Sequence, residues 1–198
     1  TYGNLIISGG GNKTLSSSTT VSGTMTFSSG ALVIGANTLA LNGAISFESG
    51  TITGAANSIL SLGGSGTIGT LYFTGGNGQL LDLIINRAGQ TATLSGNLNI
   101  ARNLTITTGT LNFGPTARTV NLVGTTGSIT GSGTIDMSGG SAAHILNISG
   151  SWISGLLTPG SGTVNYTSAV SQNIGPVNYY NLGLSGSSIK QLNKNTVV

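Results

Sequence analysis

The chain has 198 residues, of which 107 are Gly, Ser, Thr or Asn (34, 26, 28 and 19), while charged residues make up only 5%. Three carboxylates, one histidine and no cysteine exclude disulfide frameworks, thiol chemistry, Cys-based metal sites and carboxylate-rich cation cages. The net charge of +3 rests on six Lys and Arg that are dispersed along the chain, so no stripe for tracking phosphates, and hence no nucleic-acid partner, is expected.

Short segments in which Leu, Ile, Val or Phe alternate with Thr, Ser or Asn follow one another from end to end. In chain order they include Thr24-Met25-Thr26-Phe27, Thr38-Leu39-Ala40-Leu41, Thr51-Ile52-Thr53, Asn103-Leu104-Thr105-Ile106, Thr110-Leu111-Asn112-Phe113, Thr119-Val120-Asn121-Leu122 and Thr163-Val164-Asn165-Tyr166. A period of two is the signature of strands with one buried face. Glycine punctuation follows nearly every segment, as at Asn42-Gly43, Gly63-Gly64, Thr108-Gly109 and Ser149-Gly150. Helix-forming runs are missing, with Glu, Lys and Arg almost absent, so the fold is all-β. Hydrophobic residues at 37% are too many for a solvated disordered tract. No apolar run reaches the roughly 18 residues of a membrane span, so no membrane insertion is expected. No charged and apolar leader opens the chain, so no signal peptide is read from it.

An opener recurs. Tyr2-Gly3-Asn4-Leu5-Ile6-Ile7 returns as Leu81-Asp82-Leu83-Ile84-Ile85 and, after a longer interval, as Tyr180-Asn181-Leu182-Gly183-Leu184. Asn4, Leu5, Asp82, Leu83, Asn181 and Leu182 are therefore scaffold positions of a repeat, with modules at about 2–79 and 80–178 and a partial one at 179–198, inside a single solenoid 1–198. Strand-turn units without long connections predict a right-handed parallel β-helix. At roughly 22–25 residues per coil the chain makes about eight coils. A sandwich is the rival architecture. The chain starts and stops in the same phase of the repeat and shows no polar, Pro-rich or helical cap, so uncapped ends that continue into like repeats are expected.

These units resemble the β-solenoid modules of very large secreted, cell-surface adhesin-like proteins of Bacteroidota, many of them exported by the type IX pathway. The resemblance is carried by the Asn-Leu-x-Ile-type opener, by Leu104-Thr105-Ile106-Thr107-Thr108-Gly109-Thr110-Leu111-Asn112-Phe113-Gly114 and by Asn37-Thr38-Leu39-Ala40-Leu41-Asn42-Gly43. Bacterial autotransporter passengers look similar. The resemblance implies an extracellular or cell-surface stalk, adhesin body or filament subunit and supplies no catalytic residues. Asp82 departs from the pattern by replacing the opener's Asn.

Candidate chemistry is thin. Gly64-Ser65-Gly66-Thr67-Ile68-Gly69 has the spacing of a dinucleotide-binding loop, but it runs into Thr70-Leu71-Tyr72-Phe73, a strand where that motif needs a helix. His144 would need Asp82 or Asp136 behind it to drive a serine nucleophile. Glu48, Asp82 and Asp136 are each separated by more than the length of one coil, which does not place two of them on adjacent coils for sugar cleavage. No catalytic, metal or cofactor residues are assigned, and no enzymatic activity is expected. Trp152, Tyr166 and Tyr72 are the candidates for stacking on a glycan. The Thr-x-Thr units at Thr24, Thr51, Thr91 and Thr105 raise an ice-binding face as a further alternative to the structural role.

Overall fold

A computed structural model describes residues 1–141 and 143–192. Its strands stack in parallel into a β-solenoid of about nine turns. The expected eight turns is too few, because very short strands and tight glycine corners shorten the early coils. Leu5, Met25 and Ile45 already stand in register on three successive coils. Of the last module expected, 179–198, residues 193–198 lie outside the described residues.

Each coil contributes to three faces. The first face stacks Leu5–Ile7, Met25–Phe27 and Ile45–Phe47, continues through Gly69–Leu71, and ends at Thr134–Asp136 and Leu156–Thr158. The second runs from Asn12–Thr14, Ala31–Val33 and Thr51–Thr53 to Thr119–Leu122, Ile145–Ile148, Thr163–Tyr166 and Asn181–Leu184. The third runs from Thr19–Val21, Thr38–Leu41 and Ile59–Leu62 to Ser128–Gly131, Ser151–Trp152, Gln172–Ile174 and Lys190–Leu192. In the middle of the chain, Asn77–Leu94 and Asn97–Asn112 are continuous extended segments that pass along all three faces. One 3-10 turn, Thr74–Gly76, is the sole helical element among the described residues.

Alternation fills the interior, because every second side chain of a strand points the same way. Leu39, Leu60, Leu83, Leu104, Ile129 and Trp152 form one inward row of the third face, and all are buried. Leu98, Val120, Leu146 and Val164 form a row of the second. Each such aliphatic contributes roughly 1.5–3 kcal/mol by leaving water. The corners demand glycine: a Cβ added at Gly43 would overlap the Gly23 carbonyl stacked against it.

Candidate functional site

The three openers lie on three different faces. Leu5 pairs with Met25 on the first face, Leu83 sits between Leu60 and Leu104 on the third, and Leu182 pairs with Val164 on the second. The first two share a local device. The Thr24 N–H donates to Asn4 Oδ1 (2.7 Å) and the Asn103 N–H donates to Asp82 Oδ1 (3.0 Å), so the side chain that starts a strand accepts a backbone N–H from the next coil. Asn97 and Asn103, which the sequence reading did not single out as openers, do the same for Thr119 N–H (2.8 Å) and Ser128 N–H (3.1 Å). The signal was present, since each precedes a Leu-x-Ile segment. Asp82, the departure from Asn, has its charge met one coil on: Arg102 donates through Nε to Oδ1 (2.9 Å) and through Nη2 to Oδ2. That hydrogen-bonded guanidinium, against the opposing effect of burial, holds the Asp82 carboxyl below the ordinary carboxylate value.

Two of the three glycan candidates are core residues. Trp152 and Tyr166 are both 0% exposed. Tyr166 follows Val164 at the inward parity, and Trp152 continues the inward row that begins at Leu39. Trp152 donates Nε1–H to the Ser154 carbonyl (2.9 Å), and the Tyr166 and Tyr179 hydroxyls meet at 2.9 Å, with Gly175 N–H donating to Tyr166 (2.8 Å). Burial pushes the Tyr166 phenol up to about 12 and the Tyr179 phenol up as well. Neither Trp152 nor Tyr166 presents a ring face to an external sugar. Tyr72 is 44% exposed and tilts against Phe47 (5.4 Å), which stacks on buried Phe27 (4.4 Å). Beside it the Thr74 hydroxyl meets those of Thr51 (2.7 Å) and Thr53 (2.8 Å).

The remaining groups singled out from the sequence, His144, Asp136, Glu48 and the glycine motif, bond to the scaffold. His144 is buried: it accepts the Arg118 N–H at Nδ1 (3.2 Å), and its Nε2 faces the Gly139 carbonyl (3.1 Å). Ser138 donates its hydroxyl to Asp136 (2.6 Å) rather than toward the imidazole, and Asn112 donates to the other carboxylate oxygen (2.6 Å). Burial opposes ionisation of Asp136, and these hydrogen bonds outweigh it, leaving the carboxyl below its ordinary value. Glu48 accepts from Ser28 (2.7 Å). The glycine motif at 64–69 is a corner between the third and first faces, with Ile68 buried and the Gly66 carbonyl accepting from Arg87 (3.2 Å). The Thr-x-Thr units fall on all three faces and build no single array: Met25 and Ala92 lie on the first, Ile52 on the second and Ile106 on the third.

Among the described residues no three His, Asp or Glu gather as a metal set, and no helix is long and apolar enough to cross a membrane. The arrangement defines a β-solenoid repeat protein. No protein-family model, curated protein or solved structure matches the chain.

Proposed function

We propose that the chain is a non-enzymatic structural segment of an extracellular or cell-surface β-solenoid, a stalk, adhesin body or filament subunit that continues end to end through like coils. One observation carries this reading. Leu5–Ile7 and Asn12–Thr14 each pair with a single strand, toward the second coil. Tyr2 meanwhile already occupies the third face one level further out, bridging Val21. Among the described residues nothing pairs with the outer edge of this coil, whose backbone groups stand in the phase of another coil, a template for pairing. Low charge removes the repulsion that would oppose contact between copies.

Ile6 gives a clean test. Leu5 N–H and Ile7 C=O bond to the second coil, so the alternation of a parallel ladder turns the Ile6 N–H outward. Ile6→Pro deletes that donor while removing no internal ladder bond. The unmodified chain is expected to form lengthening rods by electron microscopy and sedimentation as concentration rises, and Ile6→Pro to stay monomeric with an unchanged β spectrum. A monodisperse unmodified chain at every concentration would refute end-to-end continuation.

A further inference from the structure

On the first face the regular stacking fails between the eighth coil and the ninth. Leu156–Thr158 pairs with Thr134–Asp136 on one side. Leu156 N–H donates to Gly133 C=O (2.9 Å) and Met137 N–H to Thr158 C=O (2.8 Å). By the alternation of a parallel ladder, the N–H and C=O of Leu157 point the other way, toward residues 176–178. There no backbone hydrogen bond closes among the described residues. Pro176 has no N–H to offer, and the Val177 N–H is turned back onto the Gly175 carbonyl (2.9 Å). Here lies a groove of about 380 Å³, whose lining includes Thr134, Leu156, Leu157, Thr158, Pro176 and Asn178.

We infer that this groove binds a neutral saccharide unit. Its volume falls in the range of small-ligand sites, roughly 300–1,000 Å³. No charged side chain lines it, so neither an anionic nor a cationic ligand finds a counter-charge. Thr134, Thr158, Asn178 and the unclosed backbone N–H and C=O of Leu157 offer both donors and acceptors along it, a set that a group able both to donate and to accept, as a hydroxyl is, can answer. Leu156, 59% exposed, and Pro176 supply the apolar surface against which the C–H face of a pyranose packs. Asn178 and Thr158 are exposed side chains, so their substitution leaves the core intact.

The test titrates the folded chain with a panel of neutral gluco-, galacto-, manno- and N-acetylglucosamine oligosaccharides, with sialylated and sulfated sugars alongside, reading the amides of 156–158 and 177–178 by NMR. At least one neutral sugar is expected to shift those amides saturably, and Asn178→Ala and Thr158→Val are each expected to weaken binding about five-fold, the loss of one hydrogen bond. Tyr72→Ala leaves it unchanged. The inference is overturned if no neutral sugar shifts these amides, if charged sugars bind as well, or if Tyr72→Ala abolishes binding that both groove variants retain.

Discussion

The early coils and the late coils use the same alternating strands but are held in register differently. Among the early coils the step from one coil to the next is nearly constant: hydrogen bonds between neighbouring coils span 19 positions at Gly10 and Ser29, 20 at Asn4 and Thr24, and 21 at Ser28 and Ser49. Equal coils place glycine over glycine at the corners, with the Gly23 N–H bonded to the Gly3 carbonyl (2.6 Å). Among the late coils the step varies, from 22 positions between Asn99 and Asn121 to 26 between Asn121 and Asn147 and 18 between Asn147 and Asn165. The second face nevertheless keeps its register. Those four outward asparagines run across the unequal steps as an amide ladder, Asn121 donating to Asn99 (2.7 Å), Asn147 to Asn121 (2.8 Å) and Asn165 to Asn147 (2.9 Å). Constant length aligns coils by itself. Where corner loops vary, register must be specified by side chains that reward only one pairing.

Arg87 sits at the seam between the two regimes, and breaking it carries the largest expected effect. It is 1% exposed and, among the described residues, has no ion pair with a carboxylate. Its fork donates to the carbonyls of Gly63 (2.8 Å), Gly43 (2.9 Å) and Leu41 (2.6 Å), clamping the corners of the two preceding coils. Burial pulls its pKa down, yet a guanidinium stays charged throughout the accessible pH range. Arg87→Met strands those carbonyls and should cost about 3 kcal/mol in denaturant unfolding. Exchange of the Asn42 and Gly63 amides should accelerate first. Arg87→Lys should recover little, because a single ammonium cannot span the fork's acceptors. A loss under about 0.5 kcal/mol, the range of an ordinary surface substitution, would show that the early coils hold without this clamp.

The coil faces were legible from the period of two and the glycine punctuation, because backbone alternation and corner crowding leave local traces. The coil count was less so. The opener marks the start of a strand rather than of a coil: at Asn4 and Asp82 a side-chain oxygen accepts the next coil's N–H, and Asn97 and Asn103 do the same. Leu5 and Leu83 lie on different faces, so the interval between them is no whole number of coils. Tyr166 could have been placed inside from its parity with Val164, whereas the burial of Trp152 depends on the third-face row in which it stacks. Nothing local marks Arg87 as buried, since its acceptors come from corners one and two coils back along the chain. The groove at Leu157 was equally hidden, as it arises where Pro176 meets a strand from the coil before.

A middle-sized effect sharpens the contrast directly. Asn121→Ala removes two amide hydrogen bonds from the ladder and should destabilise by about 1–2 kcal/mol. Thr26→Ala, at an outward position of the early coils, should stay within about 0.5 kcal/mol. The exchange signature matters as much as the magnitude. Loss of the rung should loosen Thr119–Leu122 and Ile145–Ile148, the strands joined by the longest step. If both substitutions cost the same, the ladder is decoration on a face already aligned by its aliphatic rows.

The smallest effect is the acid response of Asp82, which belongs to the middle of the stack. Its carboxyl is held below the ordinary 3.8 chiefly by the Arg102 hydrogen bonds. A carboxylate depressed in the folded state binds its proton more readily when unfolded. Its contribution is therefore fully present above the unfolded value and is lost as pH falls through the folded one. Half of the Arg102 side chain is exposed, so solvent screens the pair and the effect stays small. Thermal melts from neutral pH down into strong acid should show a decline in stability, and Asp82→Asn, which restores the amide of the other openers and can still accept the Asn103 N–H, should flatten part of it. The residual slope then reports Asp136, whose carboxyl is also held low by its hydrogen bonds. A slope unchanged in Asp82→Asn would mean that Arg102 gives the folded chain nothing beyond what the Asn103 N–H already supplies, and that the opener works as well neutral as charged.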